Sequence, residues 1–141
     1  MEHSVLRGDS GLAMAGLLRW AVGVGLIVVA AVDGASIAMT TVTLDDAART
    51  AGIEAVDSVR STSDDNTTPQ VAVQQAYDAA TASLAGHGGG EIDAATFVVH
   101  TDGSVSFTAT RRAPTLLLGR LGPTRDWAEI DVEMNANRPI L

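Results

Sequence analysis

The feature that most constrains this chain is the run from Leu12 to Val32, which is apolar except for Arg19. Beyond Asp33 it continues more weakly through Ala35, Ile37, Ala38 and Met39. A stretch this oily must be covered by lipid or by protein. Its uninterrupted part, Trp20 to Val32, is 13 residues long, too short for a hydrocarbon core of about 30 Å. A spanning helix must therefore include Arg19, Asp33 or both. A charge at the bilayer centre costs about 2.5–3.5 kcal/mol, and less near the edges. Arg19 and Asp33 stand 14 positions apart, or about 21 Å along a helix rising about 1.5 Å per residue. A window centred near Leu26, from Gly16 to Ser36, lets each charge reach toward a different interface. It also puts Trp20 where an interfacial aromatic is favoured.

Arg7 and Arg19 precede this window, and no Arg follows until Arg49. That asymmetry predicts a cytoplasmic N-terminus over residues 1–15, a transmembrane helix over 16–36 and an extracytoplasmic C-terminal head. A cleaved signal peptide is the main competing reading, with small residues at Ser36 and Ala38 as a cleavage site. The stretch before such a cut is long, however, and helical periodicity runs straight through it. A buried helix of a soluble protein is the third reading. Asp33 is expected in the outer headgroup layer, with no specific partner; contact with a partner helix is the alternative.

Charge and composition narrow the function. The net charge is −8 with 17 acids and nine basic residues, all of them Arg. From Asp33 onward there are fifteen acids and seven arginines, so the excess belongs to the head. Such a surface is repelled by phosphate backbones and anionic lipid, which argues against nucleic-acid binding. With no cysteine, neither a disulfide nor a thiolate metal site is available to a head of roughly 80 residues, a size of marginal stability.

Past the membrane window, Ile37, Thr41, Leu44, Ala48, Ala51, Ala55 and Val59 recur at spacings of three and four. They predict an amphipathic continuation of the helix over 37–60, with Asp45 and Asp46 placed to pair with Arg49, and Asp57 with Arg60. Gly52 is its one weak point. Residues 61–68 read as a polar linker in which Asn66-Thr67-Thr68 fits a glycosylation pattern. Thr68-Pro69 then caps a second helix through Val71, Ala72, Ala76, Tyr77, Ala80 and Leu84, ending at Gly86 or Gly88. Next come a strand over Ile92–His100, a two-residue Asp102-Gly103 turn and a strand through Val105, Phe107 and Ala109. Leu116-Leu117-Leu118 forms an apolar turn or short helix. A last strand, Trp127–Met134, sets Ala128, Ile130, Val132 and Met134 against Glu129, Asp131 and Glu133. The expected fold is α+β: a long N-terminal helix, a second helix and a three-stranded antiparallel sheet, with a head over 69–141.

No catalytic, cofactor-binding or metal-ligating constellation emerges. His3, His87 and His100 lack metal-ligand spacing. His87-Gly88-Gly89-Gly90 is like an esterase oxyanion turn, but no Gly-x-Ser-x-Gly elbow accompanies it. Gly8-Asp9-Ser10-Gly11 matches a protease serine motif in a chain too short for that fold. Gly86–Gly90 lacks the Lys and preceding strand of a phosphate loop. The acids of the last strand could pair for acid–base chemistry, yet alternating acids ordinarily line a solvent face.

The layout as a whole resembles pilin-like proteins, and within them the small actinobacterial membrane proteins related to TadE and TadG of Tad (Flp) pilus systems. The residues that carry the resemblance are the helix Leu17–Val59 with its Leu44-Asp45-Asp46-Ala47-Ala48-Arg49-Thr50-Ala51 stretch, and the hairpin Val98–Ala109. The tail segments Arg112-Ala113-Pro114-Thr115-Leu116 and Arg125-Asp126-Trp127-Ala128 add to it. Arg7-Gly8 is present, while Ala13 stands about where such sequences carry a Glu. The resemblance implies a non-enzymatic, membrane-anchored structural or accessory protein of an envelope assembly, a pilus or secretion system. Its partners would be the bilayer and other envelope proteins, with no small-molecule substrate. A membrane-tethered extracytoplasmic binding module, unrelated to pili, is the alternative.

Overall fold

Between Asp9 and Ser63 there is no proline to remove a backbone donor, and alanines recur throughout. Both favour an unbroken helix. The computed structural model of the chain describes residues 9–63 and 67–137. The expectations for His3, Arg7, Gly8 and Asn66 lie outside the described residues. Helix α1 runs Asp9–Ser63 without a break, 55 residues, or about 82 Å. It is one element with two environments. From Met14 to Val32 every side chain is exposed except the half-buried Val29. From Asp33 onward one face is covered by the head.

That covered face matches the predicted stripe. Leu44, Ala48, Ala51 and Ala55 are fully buried and Val59 nearly so, joined by Ala47 and Val56. The register differs at one position: Thr40 is buried and Thr41 exposed. A spacing of three from Ile37 to Thr40 keeps the face continuous, and the Thr40 hydroxyl is satisfied by donating to Ser36 O at 2.8 Å. The Asp45–Arg49 pair forms at 3.4 Å on the exposed side, where such a pair adds little.

Helix α2, Pro69–Gly86, begins after Thr68 in an extended conformation with Pro in its first turn. The Thr68 side chain makes no capping bond, so Pro supplies the start signal alone. Ala76, Ala80 and Leu84 are its buried positions. Thr62 donates to Gln75 Oε1 at 2.7 Å, and Leu84 lies near Leu44 around Gly90. Helix α2 therefore runs back along α1. The run of small side chains on both helices lets their backbones approach closely.

Four strands form one antiparallel sheet: β1, Glu91–Ile92; β2, Val98–Val99; β3, Val105–Arg112; β4, Glu129–Ala136. Strand β3 is central and pairs with β4 along its whole length. Strands β1 and β2 both pair with its other edge, at Ala109–Thr110 and Val105–Ser106 respectively. The sheet thus has three lanes, one of them broken. The expected continuous strand over 92–100 is interrupted by a turn: Asp93 Oδ1 accepts the Ala95 N–H at 2.9 Å, and Thr96 N–H donates to Asp93 O. An Asp side chain that offers the backbone a local partner competes with the ladder. Thr96 Oγ1 then takes the Thr108 N–H at 2.8 Å, standing in for a missing strand bond.

The β2–β3 connection is also longer than the two-residue turn that Asp102-Gly103 suggested. His100 N–H donates to Ser104 O and Gly103 N–H to His100 O, so three residues form the loop, with Gly103 at φ +79°. A type I turn ending in a left-handed glycine is the next commonest hairpin solution. After β3 the chain makes an irregular turn over 114–121 and a 3-10 helix, Gly122–Ala128. Strand β4 starts at Glu129 rather than Trp127.

The apolar face of the sheet lies on α1. Val105, Phe107, Ala109, Ile92 and Ile130 join the buried alanines of both helices in one core. Tyr77 meets Phe97 edge-on at 5.3 Å, and Phe97 stacks on Phe107 at 5.9 Å. Gly52 sits where β4 crosses α1. A Cβ there would lie 2.7 Å from Ala136 Cβ and 3.3 Å from Met134 Cγ. The residue that weakens the helix in isolation is what lets the sheet dock. Gly52→Leu is expected to destabilise the head by about 1–3 kcal/mol through overpacking, seen as a lower chemical-denaturation midpoint at unchanged slope.

Candidate functional site

A carboxylate at the end of an apolar run needs donors. Asp33 finds them. It is 1% exposed, between the exposed Val32 and Gly34, and is the one buried ionisable side chain among the described residues. Leu116 N–H donates to Asp33 Oδ1 at 2.6 Å, while Leu117 and Leu118 N–H donate to Oδ2 at 2.9 and 3.0 Å. These are the free amides of a single helical turn, which closes with Arg120 and Leu121 N–H both donating to Leu117 O. The first amides of such a turn have no partner within it and carry partial positive charge. Asp33 acts as their cap from another element.

Two further bonds fix the loop. Ser36 Oγ donates to Pro114 O at 2.5 Å, three residues along α1 from Asp33. Thr115 Oγ1 accepts the Gly119 N–H at 2.8 Å. Ala113 N–H donates to Ala128 O at 2.7 Å, tying the loop's two ends together. Asp33 therefore does have specific partners, contrary to the expectation that it stands alone in a headgroup layer. The signal was in the sequence. Asp33, Ile37, Thr40, Leu44, Ala48 and Ala51 share the spacing of the buried stripe, so Asp33 lies on the face that meets the head. The donors were invisible, because backbone amides of an irregular loop leave no residue signature.

The loop clamped by Asp33 keeps most of its large apolar side chains outward, Leu118 being half-buried. Leu116, Leu117, Leu121 and Trp127 are 56%, 36%, 51% and 66% exposed. Arg120 and Arg125 lie among them, with Asp126 as the one acid between Pro114 and Trp127.

The other sequence candidates do not converge. His87 caps α2 with Nδ1 2.8 Å from Ser83 O, and His100 Nε2 lies 3.0 Å from Ser106 Oγ; both are exposed. Among the described residues no group of three His, Asp or Glu is placed to hold a metal. The acids of β4 are exposed, and two of them are engaged across the strand: Glu129 with Arg112 at 3.2 Å, Asp131 accepting from Thr110 Oγ1 at 2.7 Å. Asp102 accepts from the Ser104 hydroxyl and amide at 2.6 and 2.9 Å. These bonds, the hydroxyl's first, hold its carboxyl below the usual carboxylate range. A groove of about 430 Å³ runs between α1 and β4, lined by Arg49, Ile53, Val56, Met134, Asn135, Ala136 and Asn137. Among the described residues its only ionisable lining residue is Arg49.

No protein-family model matches the chain, and neither a curated protein nor a solved structure does.

Proposed function

We propose that this chain is a membrane-anchored, non-enzymatic structural or accessory component of a cell-envelope assembly, of the kind represented by the TadE- and TadG-like proteins of pilus systems. The observation that carries this reading is the bare half of α1. Nineteen residues from Met14 to Val32 project from the head, all with exposed side chains but the half-buried Val29, a length of about 28 Å against a hydrocarbon core of about 30 Å. The most apolar window of the helix has a mean hydropathy of 2.1 and none of it is buried. A core helix of a soluble protein would bury this surface.

The Asp33 clamp supports an anchor over a removable leader. Cleavage after Ala38 would discard both Asp33 and Ser36, and with them every bond that α1 makes to the 114–118 turn. The span Gly16–Ser36 then has Arg19 one turn from its inner end and the clamp at its outer end. The head is extracytoplasmic, and assembly proceeds through helix packing in the bilayer and contacts of the head outside it.

The test is fractionation of cells expressing the full chain, then mild detergent extraction and identification of co-purifying proteins. Resistance to alkaline carbonate and co-isolation with pilus or secretion components are the expected results. Recovery in the soluble fraction would overturn the anchor. Recovery from the membrane with one small ligand and no envelope protein would favour a tethered binding module.

A further inference from the structure

A transmembrane helix fixes where a head begins but leaves it free to swing. Three features of this head point to something more. First, Asp33 directly adjoins the apolar band Trp20–Val32, and three backbone amides of Leu116–Leu118 lie within 3.0 Å of its carboxylate. The loop therefore sits at the same level along α1 as the outer end of the band. Secondly, this is where the head exposes Leu116, Leu117, Leu121 and Trp127. Trp127 precedes Ala128, whose carbonyl accepts from Ala113 next to the Ser36-bound Pro114, so it belongs to the same end of the head. Thirdly, two arginines against one acid stand between Pro114 and Trp127 in a chain whose net charge is −8.

We infer that the 114–127 loop is a second membrane contact, lying in the outer interfacial layer of the bilayer around the exit point of α1. The occupant of this apolar surface is lipid. Leu side chains reach the acyl boundary, Trp takes the headgroup level that suits a ring with one polar atom, and Arg120 and Arg125 engage lipid phosphates. The charge order fits: the acids of β4 lie on the sheet's open side, and Glu129, the one next to the loop, is paired with Arg112 at 3.2 Å, so the loop itself carries an excess of positive charge. Asp33 is the hinge pin of this arrangement. It satisfies the loop amides that would otherwise enter a poorly hydrated layer unpaired, a costly state there. The head is thereby seated on the membrane in one orientation.

This inference rests on α1 spanning the bilayer, and the two tryptophans separate the two claims. The full chain is prepared as Trp20→Phe, leaving Trp127 as reporter, and as Trp127→Phe, leaving Trp20. Both are reconstituted in phosphatidylcholine vesicles, with and without phosphatidylglycerol, and their emission is measured with lipids brominated at shallow or deep acyl positions and with aqueous acrylamide. Trp127 is expected to emit at shorter wavelength than in detergent-free denaturant, to lose intensity to shallow bromolipids more than to deep ones, and to resist acrylamide. In the full chain, Arg120→Gln with Arg125→Gln is expected to weaken that quenching more in vesicles containing phosphatidylglycerol. Quenching of Trp20 by bromolipid without quenching of Trp127 overturns the loop contact and leaves the span standing. Failure of both to be quenched overturns the span and the loop contact together. A Trp127 shielded from acrylamide but untouched by bromolipid, in a chain that cross-links to itself, overturns lipid as the occupant in favour of a second copy.

Discussion

Asp33→Asn is expected to release the 114–121 loop while leaving the sheet and helices in place. The carboxylate offers one oxygen to Leu116 and the other to Leu117 and Leu118. An amide of the same shape replaces one acceptor with a donor, which must then face an N–H. At least one loop amide loses its partner whichever way the side chain turns, and the remaining bonds lose their charge assistance. Amide exchange at Leu116–Leu118, measured in detergent-solubilised full-length protein, should accelerate by roughly tenfold or more, the equivalent of losing one charge-assisted bond. Exchange along β3 and β4 should barely change, since their bonds run between the two strands. Ser36→Ala removes a single hydroxyl contact to Pro114 and should have the smaller effect. Unchanged protection at Leu116–Leu118 in Asp33→Asn would show that the clamp does not hold the loop.

The second large effect belongs to the bare half of α1. Placing acids at Leu26 and Val28, both more than half exposed and near the middle of the band, inserts two charges where a bilayer tolerates them least. Each exchange is worth about 3–4 kcal/mol on insertion scales, roughly 6–8 kcal/mol for the pair. Leu26→Asp/Val28→Asp should therefore move the protein from the carbonate-resistant pellet to the supernatant. The head should keep its fold, because more than half of each side chain is open and neither belongs to the head's core. A doubly substituted chain that stays in the membrane fraction would mean that something other than lipid covers the band. In a spanning helix Arg19 and Asp33 would be accommodated for a different reason: Arg19 stands near one end of the window, and the Asp33 carboxylate is capped by protein.

These two expectations draw on opposite kinds of information. The band, the amphipathic stripe through Leu44, Ala48, Ala51 and Ala55, the Pro69 start of α2 and the in–out alternation of Ile130, Val132 and Met134 against Glu129, Asp131 and Glu133 were legible in the sequence. Each depends on periodicity or on a local backbone rule, and both act between near neighbours. The breaks were less legible. Asp93 splits the expected 92–100 strand because its side chain and carbonyl close a turn, and the Asp102-Gly103 hairpin takes an extra residue. Several turn chemistries were open to the same residues, and pairing with β3 selected among them. Gly52 was readable only as a flaw in a helix until β4 was laid across it.

The amino-acid order by itself determined the division of α1 into an oily half and a striped half, the α+β character of the head, and the face on which Asp33 lies. Only the tertiary structure decided what Asp33 meets. Its donors are main-chain amides separated from it by more than 80 positions. Every residue type but proline carries the same N–H, so its arrival beside a carboxylate depends on where the sheet carries the chain.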